Sequence, residues 1–279
     1  MRFVTLLFWL LVAATPASAQ SLPSLQAIRN QLSSMVSPYS ADVGIAALDL
    51  KTGELISVHG DEPFPMASTV KVAVAANYLA QVEAGRRTLD DRIGSRSARS
   101  LIDAMLIRSD NNATDVLMAD LGGPETLQRW LNQHALTGLR VDRNIDQLLR
   151  SKRDLRDVRD SSTPKAMVEL LRRIDSGELL RPTSRAYLLD VMARCTTGKN
   201  RIRGLLPMGT RVEHKTGTLS GYASDVGFIT MPDGRRIAVA MFARSTPDRP
   251  GIIARAARYI YDGFYSTVRS PLMPAYSAR

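Results

Sequence analysis

Cysteine, histidine and aromatic side chains are scarce in this 279-residue sequence, and each scarcity closes off a class of protein. The single cysteine, Cys195, excludes an internal disulfide framework, and no cysteine stands near the N-terminus to carry a lipid. One thiol in a mostly apolar stretch reads as a buried small residue rather than a nucleophile. The three histidines, His59, His134 and His214, are far apart, and no two have the spacing of a zinc-binding helix. No metal site is expected. Walker loops, dinucleotide fingerprints and Gly-x-Ser-x-Gly elbows are missing as well, so no organic cofactor is expected. Aromatics make up 6% of the chain, and the net charge of +10 is dispersed along it, which argues against a nucleic-acid partner. No internal repeat is present, which excludes a solenoid or propeller.

Apolar runs long enough to span a bilayer are also lacking. Arg2, the short apolar stretch Phe3 to Ala14 and the small residues Ala17-Ser18-Ala19 instead read as an export signal at residues 1–19, cleaved before Gln20. The expected product is a soluble periplasmic or secreted protein, residues 20–279, taken as a monomer. Its composition, 44% hydrophobic and 23% charged, suits one large core or two packed subdomains.

Apolar periodicity predicts a first helix over Leu22 to Met35. Strands follow at Val43 to Leu48 and Leu55 to Val58, joined by a turn in which Gly53 takes a positive φ. A second hairpin pairs Val226 to Met231 with Arg236 to Ala243 across Pro232-Asp233-Gly234, and Ile252 to Phe264 forms a closing amphipathic helix. Between these ends lie helical stretches at Ser68 to Glu83, Arg99 to Arg108, Asn112 to Leu121, Pro124 to His134, Pro164 to Ile174 and Thr183 to Ala193. The expected fold class is α+β: an antiparallel sheet contributed by both ends of the chain (about 20–62 and 200–279), with an inserted helical part (about 63–199). Arg140 to Asp160, with seven basic and five acidic residues and weak periodicity, reads as a solvated helix or a long surface loop that walls a site.

Ser68-Thr69-Val70-Lys71 opens the first of the middle helices. Residues three apart share a helix face, so the Lys71 amine can reach the Ser68 hydroxyl and take its proton if burial or a nearby cation lowers its pKa. The free Ser68 amide at the helix start supplies half of an oxyanion hole. Alone, a Ser-x-x-Lys occurs about once by chance in a chain of this length, and it reads equally well as a serine cap with a solvent-facing lysine. Two rarer triplets raise its weight. Ser109-Asp110-Asn111 falls between two helices, where a loop can present a hydroxyl and an amide. Lys215-Thr216-Gly217-Thr218 precedes the C-terminal hairpin, where a strand edge can offer a cation, hydroxyls and a backbone amide.

These three motifs, in this order, are the set found in class A β-lactamases and penicillin-binding proteins. The chain resembles the class A β-lactamase group of serine hydrolases over nearly all of its mature length. The resemblance includes Phe64-Pro65-Met66-Ala67, Val141-Asp142-Arg143, Asp160 to Pro164, and Thr196-Thr197-Gly198 through Leu206-Pro207. It implies a five-stranded antiparallel sheet flanked by helices, beside a helical domain, with the site in the cleft between them. It further implies Ser68 as the acylated nucleophile, Lys71 as its proton acceptor, Ser109 as donor to the leaving nitrogen and Asn111 as a substrate-amide contact. Lys215 and Thr216 would hold the substrate carboxylate, and the amides of Ser68 and Thr218 would form the oxyanion hole. Arg143 and Asp160 would pin the ends of the loop between them, a pair that contributes little if exposed.

Two features depart from that pattern. The family hydrolyses its acyl-enzyme with a loop glutamate and a nearby asparagine. One register places Ile145 and Leu149 there, and the other Gln147 and Ser151. No glutamate lies between Glu125 and Glu169. Asp146 is the nearest substitute carboxylate, one methylene shorter, and reads otherwise as an ordinary solvated aspartate. In addition, Leu219 to Asp225 contains no basic residue, which leaves carboxylate recognition to Lys215, Thr216 and Thr218. The expected activity is β-lactam ring opening with slow deacylation. The alternatives are a cell-wall D-alanyl peptidase or esterase-like hydrolase acting on peptidoglycan-like substrates, and a penicillin-binding module without turnover.

Overall fold

The computed structural model describes residues 25–152 and 154–268, so the expected export signal and the start of the first helix at Leu22 lie outside the described residues. The chain opens with α1 (Leu25–Val36) and a 3-10 segment, followed by the hairpin β1 (Val43–Asp49) and β2 (Leu55–Val58). Gly53 takes the turn at φ 77°. The two-residue strand β3 (Phe64–Pro65) leads into a 3-10 turn, Ala67–Val70, that runs directly into α2 (Lys71–Glu83). The short strands β4 (Arg92–Ile93) and β5 (Arg96–Ser97) precede α3 (Ala98–Ile107), α4 (Asn111–Asp120) and α5 (Pro124–Gln133). Next come α6 (Ile145–Arg150), β6 (Ser161–Ser162), α7 (Pro164–Ser176) and α8 (Pro182–Ala193). The strands β7 (Val212–Leu219), β8 (Tyr222–Thr230) and β9 (Arg236–Arg244) and the helix α9 (Arg249–Val268) complete the described chain.

Both ends of the chain build the main sheet, as the sequence predicts. Its order is β2-β1-β9-β8-β7, and every pairing is antiparallel. Alternation along each strand sends apolar side chains to two opposite faces. Ile45, Ala47, Val239 and Met241 pack with Ile28 and Leu32 of α1 and with Ile260 and Phe264 of α9. Ala46, Leu48, Ala240 and Phe242 face the other way, into a core shared with Phe64, α2 and α7. Because both faces are covered, β1 is buried at all seven positions, and its sequence lacks the polar alternation of a half-exposed strand.

The helix α2 is buried from Lys71 to Leu79, on every side. Its small residues, Val72-Ala73-Val74-Ala75-Ala76, let α3, α4, α5 and α8 approach closely. A helix enclosed on all sides is apolar all round, which is why its amphipathic signal is weak. The charged stretch from Arg140 to Asp160, left open between helix and loop by its sequence, contains the short α6 and returns to the body at β6.

Candidate active site

Ser68 sits in the first helical turn after β3, partly exposed, with Lys71 buried one turn on. The backbone just before it is held from several sides. Tyr222 Oη donates to the Pro65 carbonyl, and Met66 N donates to the Asp160 carbonyl at 2.8 Å. The Met66 carbonyl accepts from both Thr69 N (3.0 Å) and Thr69 Oγ1 (2.7 Å). Between these anchors Ala67 is held at φ 48°, an uncommon conformation for a residue with a side chain. Gly217 of β7 lies against the same segment. A Cβ there would fall 2.4 Å from Ser224 Oγ and 2.8 Å from the Met66 carbonyl oxygen, so only glycine lets the strand pass this close to the Ser68 segment.

The two lysines converge on one hydroxyl. Lys71 Nζ donates to Ser109 O (2.8 Å), Ser109 Oγ (3.2 Å) and Asn111 Oδ1 (2.7 Å). Lys215 Nζ donates to the same Ser109 Oγ at 2.9 Å and to Thr216 O at 2.8 Å. With both lone pairs of Ser109 Oγ facing ammonium donors, its own proton is free to point into the cleft. Burial, reinforced by the Lys215 charge, lowers Lys71 to about 7, and burial lowers Lys215 to about 8. Lys71 is therefore divided between ammonium and amine near neutral pH. Its amine form keeps two N–H donors for the Ser109–Asn111 loop and gains a lone pair. The loop between α3 and α4 is shaped for this contact: Ser109 has φ 61°, and Asp110 caps α4 by accepting from Ala113 N at 2.8 Å. Asp110 is thus a helix cap, while its neighbours face the lysines.

Farther along β7, Thr216 is buried and its Oγ1 lies 2.6 Å from Thr197 Oγ1. Thr218 is exposed, and its hydroxyl accepts from Arg201 Nη2 at 2.7 Å. The Arg201 guanidinium, buried at 8% exposure, also donates to Gly217 O and Ser224 O, each at 2.8 Å. A cation therefore stands beside Thr218 after all, supplied by the turn after Gly198 rather than by Leu219 to Asp225. Local pattern reading has no signal for it, because Arg201 precedes Thr218 by a complete turn and most of a strand.

Two features of the loop bear on its role. First, the Arg143–Asp160 pair is nearly enclosed. Nε and Oδ2 are 2.6 Å apart, with side-chain exposures of 12% and 8%, and Asp160 Oδ1 also accepts from Asp142 N and Arg143 N at 2.8 and 2.9 Å. Such a carboxylate is costly to remove, because two amides lose their partner and the enclosed guanidinium is left with only the longer contact to Asp157 at 3.4 Å. Second, Asp146 points away from the lysine cluster. Its side chain is 54% exposed and pairs with Arg150 at 3.0 Å, one helical turn on. The side chains at the other two positions of interest are equally unsuited to activating water: Ile145 is buried and apolar, and Gln147 closes a capping box with Asn144. Asp115 of α4 anchors the loop helix, accepting from Ile145 N (2.8 Å) and Asp146 N (2.9 Å). Among the described residues no group of metal-ligating side chains is present.

Comparison with known proteins agrees with this geometry. The model of the β-lactamase enzyme family matches residues 27–264. A β-lactamase of Bacteroides uniformis is 28% identical, covering 93% of this chain and 98% of its own length. The extended-spectrum β-lactamase PER-1 of Pseudomonas aeruginosa is 29% identical over 84% of this chain and 86% of its own. Among solved structures, a β-lactamase from Chitinophaga pinensis superposes with a TM-score of 0.79 at 27% identity, covering 85% of this chain and 99% of that one. A variant of the last common ancestor of Gram-negative bacteria β-lactamase class A has the same TM-score at 32% identity, covering 85% of this chain and 98% of that one. With its Ser68 segment, lysine pair and sheet order in place, the chain belongs to the β-lactamase enzyme family, in the class A group of serine enzymes.

Proposed function

We propose that this protein opens β-lactam rings by forming an acyl-enzyme on Ser68 and releases the product slowly. The observation that carries the reading is the convergence of Lys71, Lys215 and Asn111 on the Ser109 loop beside the Ser68 helix turn. Lys71 in its amine form takes the Ser68 proton as Oγ attacks the lactam carbonyl carbon. The carbonyl oxygen, gaining charge, is met by the backbone N–H groups of Ser68 and Thr218. Ser109 then donates its proton to the ring nitrogen as the C–N bond breaks, and it is resupplied from the Lys71 ammonium 3.2 Å away. Asn111 holds the substrate's side-chain amide. Lys215, Thr216 and Thr218, with Arg201 behind Thr218, hold the ring carboxylate.

Slow release follows from the loop. A general base contributes roughly 10²- to 10⁴-fold to the step it serves, and α6 directs no carboxylate at Ser68. This favours, as a second reading, a penicillin-capturing protein with little turnover. The N-terminal sequence, read as an export signal, supports a mature protein in the periplasm or outside the cell. No described helix is long and apolar enough to cross a membrane. Mass spectrometry of the mature protein during incubation with a penicillin tests both chemical steps: a one-to-one adduct on Ser68 that outlasts free substrate is expected, and none in Ser68→Ala. Adduct formation in Ser68→Ala overturns the assignment. Adduct decay faster than mixing overturns slow release.

A further inference from the structure

Arg201 makes contacts that holding a substrate carboxylate does not require. Asp225, the carboxylate whose charge acts on it, is engaged by His214 Nδ1 at 2.8 Å and by Ile202 N at 3.2 Å. Among the described residues no carboxylate pairs with the buried guanidinium itself, so its donors must find dipoles instead. They find the backbone of the cleft strand. Nη1 donates to both Gly217 O and Ser224 O at 2.8 Å, and Nη2 donates to Thr218 Oγ1 at 2.7 Å.

These contacts fix the direction of one peptide unit. Gly217 and Ser224 stand opposite each other in the β7–β8 ladder. Because a single nitrogen reaches both of their carbonyl oxygens, those oxygens lie close together between the strands, as in a hydrogen-bonded antiparallel pair; in the alternative pair they point apart. Gly217 O therefore faces β8. In a trans peptide the N–H points opposite to the C=O, so the Thr218 N–H faces the free edge of β7, the outermost strand. That edge belongs to the cleft. Thr216 O, which alternates to the same side, accepts from Lys215 Nζ at 2.8 Å, and Gly217 lies against Met66 and Ala67, directly before Ser68.

We propose that Arg201 is a positioning residue for acylation: by bonding Gly217 O it orients and polarises the Gly217–Thr218 peptide, whose N–H meets the oxygen that gains charge as Ser68 attacks. The inference rests on the reading that this N–H and that of Ser68 receive the lactam carbonyl oxygen. A hydrogen bond accepted by an amide oxygen draws electron density from the amide nitrogen, which makes the N–H of the same peptide a stronger donor. A cationic donor does so about twice as strongly as a neutral one. Orientation matters equally here. Close packing against Met66 requires glycine at 217, and glycine leaves the backbone its widest freedom, so a hold from outside the strand is needed to aim the next N–H. The effect acts on the reacting carbonyl and is therefore independent of whether the substrate carries a carboxylate.

The test compares the intact mature wild type with Arg201→Ala on a penicillin and on its methyl ester, which lacks the carboxylate. The rate of Ser68 adduct formation, followed by mass spectrometry, should fall roughly tenfold with the ester, a part of the 10²- to 10³-fold that losing one oxyanion donor costs, and at least as far with the penicillin. The second readout is the infrared stretching band of the acyl-enzyme ester carbonyl, isolated with an isotope-labelled penicillin. It should move to higher wavenumber in Arg201→Ala, because a weaker hydrogen bond leaves the C=O bond stiffer. A rate loss confined to the penicillin, or an unmoved band, overturns the inference and leaves Arg201 to the carboxylate alone. A wild type that forms no Ser68 adduct instead overturns the functional reading beneath it. Should Arg201→Ala fail to fold, Arg201→Lys decides, since one ammonium cannot serve both the carbonyls and the Thr218 hydroxyl: a smaller loss with both compounds is expected, and a loss with the penicillin alone or with neither overturns the proposal.

Discussion

Lysine is ordinarily a poor base at neutral pH, and what lowers Lys71 to about 7 is its surroundings: an enclosed position and a second ammonium across Ser109. That Ser68 and Lys71 stand one turn apart on one continuous helical segment was legible in the spacing. The partners of the amine were not, because Ser109 and Asn111 arrive from a loop whose position depends on the Asp110 cap and a strained φ. Asp146 illustrates the converse. Its place in the sequence beside the expected glutamate gave it a candidate role, but the i,i+4 contact with Arg150 turns it outward. Asp146→Ala should leave both adduct formation and adduct lifetime within about twofold of wild type, since an exposed pair contributes roughly 0–1 kcal/mol. A lifetime lengthened tenfold or more, measured by the decay of the acyl-enzyme mass, would return Asp146 to the chemistry.

Elements with strong local signals matched their sequence reading: the β1–β2 and β8–β9 hairpins, the helices opened by Pro124 and Pro164, and the helix that closes the described chain. The charged loop did not declare itself, because the Asn144 capping box that opens α6 is joined there by a carboxylate thirty residues upstream. Asp115 accepts two of the amides at its N-terminus, a role usually played by a residue of the same helix. Six residues make a helix that is marginal on its own, so the cap decides whether it forms. Asp115→Ala should therefore cost about 1–2 kcal/mol and raise hydrogen exchange at Ile145 and Asp146 ahead of the rest of the molecule. Unchanged protection at those two amides would show that the Arg143–Asp160 clasp and the Asn144 capping box order the loop without it.

At the scale of the whole molecule, part of the charge read as dispersed is paired inside the fold. Arg244, 1% exposed, ties β9 to Asp42, Glu62 and the Pro63 carbonyl and lies over the Phe64 ring at 4.6 Å, so the strand from the C-terminal end braces the segment that presents Ser68. Composition could not show this, because it counts arginines without their partners. The sequence distinguishes a sheet part from an inserted helical part, and one apolar cluster runs through both: Ala46, Phe242 and Val226 of the sheet share it with Leu101, Leu127 and Trp130 of the helices. The helical part completes its core only against this face of the sheet, whose other face packs a second cluster with α1 and α9. Equilibrium unfolding should accordingly be a single transition. Trp130 is the only tryptophan in residues 20–279 and belongs to α5, so its fluorescence reports the helical part, while far-UV circular dichroism reports helices and sheet together. Urea midpoints from the two probes should coincide. A fluorescence transition at clearly lower urea would mean that the helical part opens on its own, leaving Lys215 and Thr216 on an intact sheet with nothing across the cleft.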